Sequence, residues 1–458
     1  MALGHGENKY EKYGKPTLDL QFSGPKGSIS NRADGGAISV EFTRTQDTQA
    51  SYVKSDGTIG YASTDVARFD HDPTTGESLG LLIEESRTNL ALESEDWGNT
   101  TYWYQNGNTG GLNGHTGKDF FITTNNTTDT LSPDGANNAV KLAGDTNYTS
   151  SGYALGRVSI VTKSITLTQN TVYTFSVFIK DPNSVLDSNQ IFYIMYGSMF
   201  SNTNASAGFD LQNDTVSFGG DISNQSGSIE SYSNGWKKLT ATFTNTNNGG
   251  APWIFIQESD NFTGPNTFST NGESFYAFGF QIEQASSGSS YIPTSGSTST
   301  RGVDTASITG ANFSTWYNGS EGSIFIDMKR PAGFSQSGAF LEFFNNAGLF
   351  LQDTSGNFTS RIGTENNFIT LGDPATTTDY KIASSYQSAN DYKVSSNGSS
   401  VTSASTAVDF TTATELHIGR GNNAVTAHYR NGPRTLHLKR VTFWPTRLSD
   451  SDLQSLTE

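Results

Sequence analysis

An all-β fold, with two antiparallel β-sandwich (jelly-roll) domains behind a polar N-terminal arm and hairpin region, is what this sequence predicts. Three observations predict it. Short runs of alternating apolar and polar residues recur along the chain, the period of a strand with one buried face. Turn-forming Gly, Asn, Asp and Ser punctuate those runs at short intervals. The composition matches: 48 Gly, 29 Phe and 19 Tyr accompany only 16% charged residues, well under the usual quarter. At 458 residues the chain exceeds one ordinary core, so more than one domain is expected.

Residues 1–37 mix Gly, Lys and Tyr without a sustained period, which reads as an arm that orders on docking. Ile38, Val40 and Phe42 then alternate with polar neighbours. Ser55-Asp56-Gly57 separates Tyr52-Val53 from Ile59, a hairpin signal. With the arm, this gives an N-terminal region over residues 1–90. A sandwich is predicted over residues 91–297. Tyr173, Phe175, Val177 and Ile179 alternate there with Thr174, Ser176 and Lys180. Asn234-Gly235 is a turn, followed by Leu239, Ala241 and Phe243 alternating with threonines. Tyr276, Phe278, Phe280 and Ile282 share one predicted face. Ser295–Thr300 reads as a linker. A second sandwich is predicted over residues 301–458, with alternation at Ile324, Ile326 and Met328, hairpin turns at Ser355-Gly356-Asn357 and Asn397-Gly398, and a strand over Arg434–Trp444. The clearest helix signal is Leu448–Leu456, where Ser449 caps, Asp452 completes a capping box and Leu448 staples to Leu453.

The formal net charge of −16, with no Lys/Arg-rich run, argues against non-specific nucleic-acid binding, which depends on basic residues displacing counterions. No cysteine is present, so neither disulfides nor thiolate metal sites are available. No apolar run approaches a membrane span, and Met1–Glu7 lacks a signal-peptide pattern. The expectation is synthesis in a host cytoplasm without membrane insertion.

Four motifs, in order, carry a resemblance. Phe69–Trp97 runs from a turn-rich segment through the apolar Leu79–Ile83 to Glu84-Glu85, Arg87-Thr88-Asn89 and an acidic turn. Pro133–Leu142 forms a loop and strand. Phe278–Glu283 precedes Ser290–Thr294, and Asn312–Tyr317 precedes Ser320–Ser323. Together they resemble bacteriophage virion appendage proteins, tail fibres among them. The span 91–297 is similar to jelly-roll carbohydrate-binding modules, and 301–458 to concanavalin A-like (laminin-G-like) lectin domains. The resemblance implies a fibre or spike on the outside of the virion. It implies docking to other virion proteins through residues 1–37, a homotrimer, and adsorption to host surface polysaccharide. No heptad run shows trimerisation directly.

Catalytic patterns are missing. Glu84 and Glu85 are adjacent on a strand, so they point to opposite faces and cannot flank one glycosidic bond; an ion pair with Arg68 or Arg87 is the expected role. Asp70-His71-Asp72 fails the calcium-loop pattern and reads as a turn with solvated side chains. His5, His71, His115, His417, His428 and His437 match no zinc or nucleophile motif. No cofactor is required. A structural Ca²⁺ is the candidate ion, with Asp134, Asn137 and Glu283 as oxygen ligands, as in the modules that the first sandwich resembles. Sugar rings stack on aromatic faces, and Trp97, Tyr102, Trp103 and Tyr104 cluster at the start of that sandwich. The expected carbohydrate contacts are Tyr102, Trp103, Tyr153 and Tyr196, while Trp236, Trp316 and Trp444 are assigned to the core. The reading is a non-enzymatic glycan-binding fibre. A purely structural decoration protein and a polysaccharide depolymerase are the alternatives; the Glu-x-Asp-x-x-Glu motif of concanavalin A-like glycanases is absent.

Overall fold

The structure, a computed structural model, describes residues 10–23, 30–31, 38–44, 49–105, 121–144, 158–162, 165, 167–181, 190–195, 206–219, 224–245, 253–258, 274–330, 338–344, 349–354, 357–362, 368–372, 379–387, 391–404, 409–419 and 435–458. Alternation in the sequence becomes antiparallel pairing throughout these residues, and the fold is all-β. Among them, no helix is long and apolar enough to cross a membrane.

One sandwich packs two six-stranded sheets. The first runs Phe121–Thr124, Val140–Gly144, Ser274–Glu283, Thr171–Lys180, Lys237–Asn245, Ser226–Ser231. The second runs Thr215–Gly219, Ser206–Asp210, Gln190–Met195, Trp253–Glu258, Val158–Thr162, Trp103–Gln105. Tyr173, Phe175, Val177 and Ile179 point into the shared core, as the period-2 pattern requires. The opposite face of that strand is also buried: Phe178 joins Ile59, Trp236, Tyr276, Phe278 and Tyr291 in a separate cluster beneath the hairpin Ala50–Val53/Ile59–Ala62.

The predicted common face of Tyr276, Phe278, Phe280 and Ile282 is broken. Tyr276 and Phe278 belong to the cluster under the hairpin, whereas Phe280 and Ile282 lie in the sandwich core. A bulge inserts an extra residue opposite Ser176–Phe178, and Gly279 adopts φ +67° within it. That backbone conformation suits glycine, which has no Cβ to clash. The insertion shifts the side-chain parity by one.

The other sandwich draws on both halves of the chain. Its nine-stranded sheet contains Glu321–Lys329 and Leu436–Trp444, and also Leu18–Gln21, Ser30–Asn31, Phe69–His71 and Ser78–Ile83. Its seven-stranded sheet contains Thr305–Thr309, Gly338–Phe344 and Glu415–Ile418, edged by Glu41–Thr43. One side of Leu436–Trp444 is thus shared by two N-terminal strands: Leu18–Gln21 pairs with Arg440–Phe443 and Leu81–Ile83 with Leu436–Leu438.

The arm expected over residues 1–37 is therefore corrected for its described part. Leu18, Leu20 and Phe22 are wholly buried in the core of this sandwich, and Tyr10 and Tyr13 pack with Phe325, Trp444 and Leu453. Asp19, wholly buried, receives a two-pronged bond from Arg440 at 2.8 and 2.6 Å, and that guanidinium lies 3.7 Å from the Tyr10 ring centre. Sequence pattern missed this because a strand of four residues is too short to show a period. The linker expected at Ser295–Thr300 is also tied down, since Ser299–Arg301 pairs with Arg87–Asn89. The C-terminal helix forms as its signals predict. It spans Asp450–Thr457, with Ser449 and Asp452 in a reciprocal capping box.

A buried polar network joins the hairpin region to both sandwiches. Glu84 accepts hydrogen bonds from the Ser290 amide (2.9 Å) and hydroxyl (2.6 Å), and ion-pairs with Arg68 (2.7 Å) and Arg301 (3.1 Å). Asp304 accepts from Arg68, from Arg44 (2.9 Å) and from the Glu84 amide (3.0 Å). Burial opposes ionisation of Glu84, but Arg301, Arg68 and the Ser290 hydrogen bonds outweigh it and hold the carboxyl well below the usual range. Glu85 pairs instead with Arg87.

Two outcomes follow. Deleting residues 1–22 removes three wholly buried apolar side chains at about 1.5–3 kcal/mol each, a sum comparable with a whole domain's stability. The truncated chain should therefore be recovered insoluble or unfolded, read by soluble yield and circular dichroism. Glu84→Gln should cost about 3–5 kcal/mol at pH 7, because it strands buried guanidinium charge. The lowered carboxyl contributes stability above the ordinary carboxylate range and loses it as pH falls towards its folded value. The gap between wild type and variant in denaturant unfolding should accordingly narrow below about pH 4.

Candidate functional site

Where the hairpin, the first sandwich and the strand Leu436–Trp444 meet, the surface opens into a cleft of about 640 Å³. That volume falls within the ~300–1,000 Å³ of small-ligand sites. The hairpin contributes Ser51, Tyr52, Val53 and Ile59. The edge strand Ser226–Ser231 and its neighbour contribute Ser228, Glu230, Lys238, Thr240 and Thr242, with Tyr232 beside them. Ser286–Tyr291 supplies a run of hydroxyls, and Asp70, His71, Glu84 and His437 complete the lining. The lining is therefore rich in hydroxyls and carboxylates, with aromatic rings from Tyr52, Phe178, Tyr232 and Tyr291.

Several ionisable groups here have fixed partners. Asp70 accepts from the Val53 amide at 2.6 Å and sits 2.8 Å from His437 Nε2. His71 Nδ1 lies 3.0 Å from the Val53 carbonyl, and Lys238 donates to the Ser289 carbonyl at 3.0 Å. Tyr232 packs edge-on to Phe178 with ring centres 5.1 Å apart. Asp70 and His71 are thus buried, on the strand Phe69–His71, rather than in a solvated turn. The sequence had masked this, because the strand is three residues long and its partners are distant in the chain.

The predicted sugar contacts fare differently. Trp103 is 1% exposed, stacks on Trp97 at 5.0 Å between ring centres, and donates its indole N–H to the Glu93 carbonyl. It is a core residue, which corrects its assignment to stacking. Tyr102 is half-buried and packs against the same core. Tyr153 and Tyr196 lie outside the described residues. Trp236, Trp316 and Trp444 are buried, as assigned.

The three calcium candidates do not come together. Asp134 organises its own loop, accepting from Ser132 (2.6 Å), the Ala136 amide (3.0 Å) and Asn138 (3.2 Å). Asn137 is exposed. Glu283 is buried, with both oxygens engaged by the Ser289 amide (2.9 Å) and hydroxyl (2.6 Å). Among the described residues, no group of three or more His, Asp or Glu side chains is placed to hold a metal ion. The residues that line the cleft, Glu230, Tyr232, Lys238 and His437, carry no motif. Glu230 and Tyr232 lie on and just after the edge strand Ser226–Ser231, Lys238 on Lys237–Asn245 and His437 on Leu436–Trp444, so no single stretch of sequence marks the set.

No family model matches the chain, and no curated protein matches it. Solved structures with a partial likeness include one of botulinum neurotoxin type C, whose study concerns cell entry through two ganglioside molecules. It shows 9% identity, covers 34% of this chain and 40% of that one, and has a TM-score of 0.27. A botulinum neurotoxin binding domain in complex with rat synaptotagmin II shows 12% identity over 34% and 40%, with a TM-score of 0.27. The CBM40 of a Ruminococcus gnavus sialidase, bound to α2,3-sialyllactose, shows 17% identity over 31% of this chain and 83% of that one, with a TM-score of 0.24. The chain thus spans well under two thirds of the neurotoxin structures, and the overlap is too shallow to carry a functional argument.

Proposed function

We propose that this chain is a non-enzymatic, glycan-binding appendage protein of a bacteriophage particle, and that the cleft at the junction is its sugar site. The observation that carries the reading is the lining of that cleft. Ser, Thr and Gly backbone and hydroxyl groups, aromatic rings at Tyr52, Tyr232 and Tyr291 and a few fixed charges are the groups that recognise sugar hydroxyls and the apolar faces of pyranose rings. The carboxylates support binding over hydrolysis. Two-carboxylate glycoside cleavage needs both an acid and a base or nucleophile free to act. Glu84 is neutralised by two arginines and Asp70 is held by His437 and the Val53 amide, which leaves Glu230 without a free partner acid among the described lining residues.

The resemblance to virion appendages supplies the setting: an external fibre, homotrimeric, docked by its N-terminal region. Leu18, Asp19, Leu20 and Phe22 are buried in the core, so docking falls to other residues of the N-terminal region. One shallow site per chain suits a trimer, because linked sites convert weak contacts into avidity.

A glycan array followed by calorimetry tests this. Ser228→Trp, on the exposed edge strand, should block the cleft and lower sugar affinity at least about tenfold, or about 1.4 kcal/mol, with an unchanged melting temperature. Trp103→Ala should instead cost about 3–5 kcal/mol of stability while its folded fraction binds normally. Unaltered binding by Ser228→Trp removes the cleft from the mechanism.

A further inference from the structure

One wall of the cleft is a regular row of polar cross-strand pairs. Ser226 lies opposite Thr242, Ser228 opposite Thr240 and Glu230 opposite Lys238. Leu239, Ala241 and Phe243 turn into the sandwich core, so Lys238, Thr240 and Thr242 face outward, and all six paired residues line the cleft. At about 3.4 Å per residue, successive pairs stand about 7 Å apart along the strands. Charge in the lining is satisfied from within the protein. Glu84 ion-pairs with Arg68 at 2.7 Å and Arg301 at 3.1 Å. Asp70 is held by His437 at 2.8 Å and the Val53 amide at 2.6 Å. Lys238 donates to the Ser289 carbonyl at 3.0 Å and stands across the strand from Glu230. Hydroxyls are what is left over. Thr242 is engaged by Thr174 at 2.8 Å, whereas the hydroxyls of Ser226, Ser228 and Thr240 meet no hydrogen-bond partner among the described residues.

From this arrangement we infer that the cleft takes an uncharged, hydroxyl-rich oligosaccharide laid along the edge strand, with Ser228 and Thr240 selecting it, and that it discriminates against charged glycans. The inference rests on the glycan-binding reading above. A serine or threonine hydroxyl both donates and accepts, and so does a sugar hydroxyl, so the row and the ligand satisfy each other in either direction. A ligand carboxylate, sulfate or phosphate only accepts and an ammonium only donates. Each must also shed water to enter, and the lining charges that would repay this are already paired. The chain's net charge of −16 adds a further repulsion for anionic glycans at low salt.

An array of neutral, uronate-, sialate-, sulfate- and free-amine-bearing glycans, probed with the full chain, tests this. The strongest signals should come from uncharged glycans. Titration calorimetry with the best of them should give a Kd that changes by less than about twofold between 50 and 500 mM NaCl, since no ion pair is there to be screened. Thr240→Val keeps the shape of the side chain and removes its hydroxyl. It should weaken that ligand about 3- to 10-fold with an unchanged melting temperature. Strongest binding by a charged glycan, or an affinity that falls about tenfold with salt, overturns this inference and leaves the glycan-binding reading standing. Unaltered affinity in Thr240→Val also overturns it, because the hydroxyl row is then not the recognition surface. Binding of no glycan on the array overturns both.

Discussion

A carboxylate out of water must be matched or it unfolds what surrounds it, and Glu84 is the group on which this constraint falls hardest. Its partners come from every part of the structure. Arg68 lies beyond the hairpin, Arg301 follows the first sandwich, and Ser290 closes that sandwich. Asp304 and Arg44 extend the network into the second sandwich. Three guanidinium groups, Arg44, Arg68 and Arg301, face the acids Glu84, Asp304 and Glu283 in one buried region. Any rearrangement of hairpin against sandwich would strand at least one of these charges. The cleft borders this network through Glu84, Ser289 and Ser290, so its shape is held by the same requirement.

What could be read from the sequence was what lies close together along it. The capping box at Ser449 and Asp452, the hairpin around Asp56-Gly57 and the alternation of Thr171–Lys180 are local signals, and each is realised. The Glu84-Glu85 pair was legible as well, because adjacent strand residues must diverge, and they do so towards different arginines. Two sandwiches follow from counting such pieces. Which strands join which sheet does not follow, since pairing across hundreds of residues leaves no periodic trace.

The errors share that physical origin. Residues 10–22 looked like an arm because a strand of four residues has no period to detect, yet Asp19 finds Arg440 across 421 positions. Trp103 looked like a sugar platform because an aromatic cluster reads alike whether it faces solvent or core; its contact with Trp97 decides the matter. Tyr276 and Phe278 were assigned the wrong face because a single glycine with positive φ inverts parity midway along a strand. The cleft was least legible of all. Its lining comes from the hairpin, an edge strand, a serine loop and a distant strand, and none of these is distinctive alone.

The pairing of Leu18–Gln21 with Arg440–Phe443 also dictates an order of events in the life of the chain. During synthesis the first of these strands leaves the ribosome more than four hundred residues before its partner. At about 5–20 residues per second, it waits tens of seconds with Leu18, Leu20 and Phe22 exposed. The first sandwich has all its described strands between residues 103 and 283, so it can condense during that interval. The second must close a loop that encloses the first, a topology of high contact order whose entropy cost falls due before its contacts form. Closure of the second sandwich thus waits on the pairing of Leu18–Gln21 with Arg440–Phe443, and the early strand stays unpaired on that side until the late one arrives.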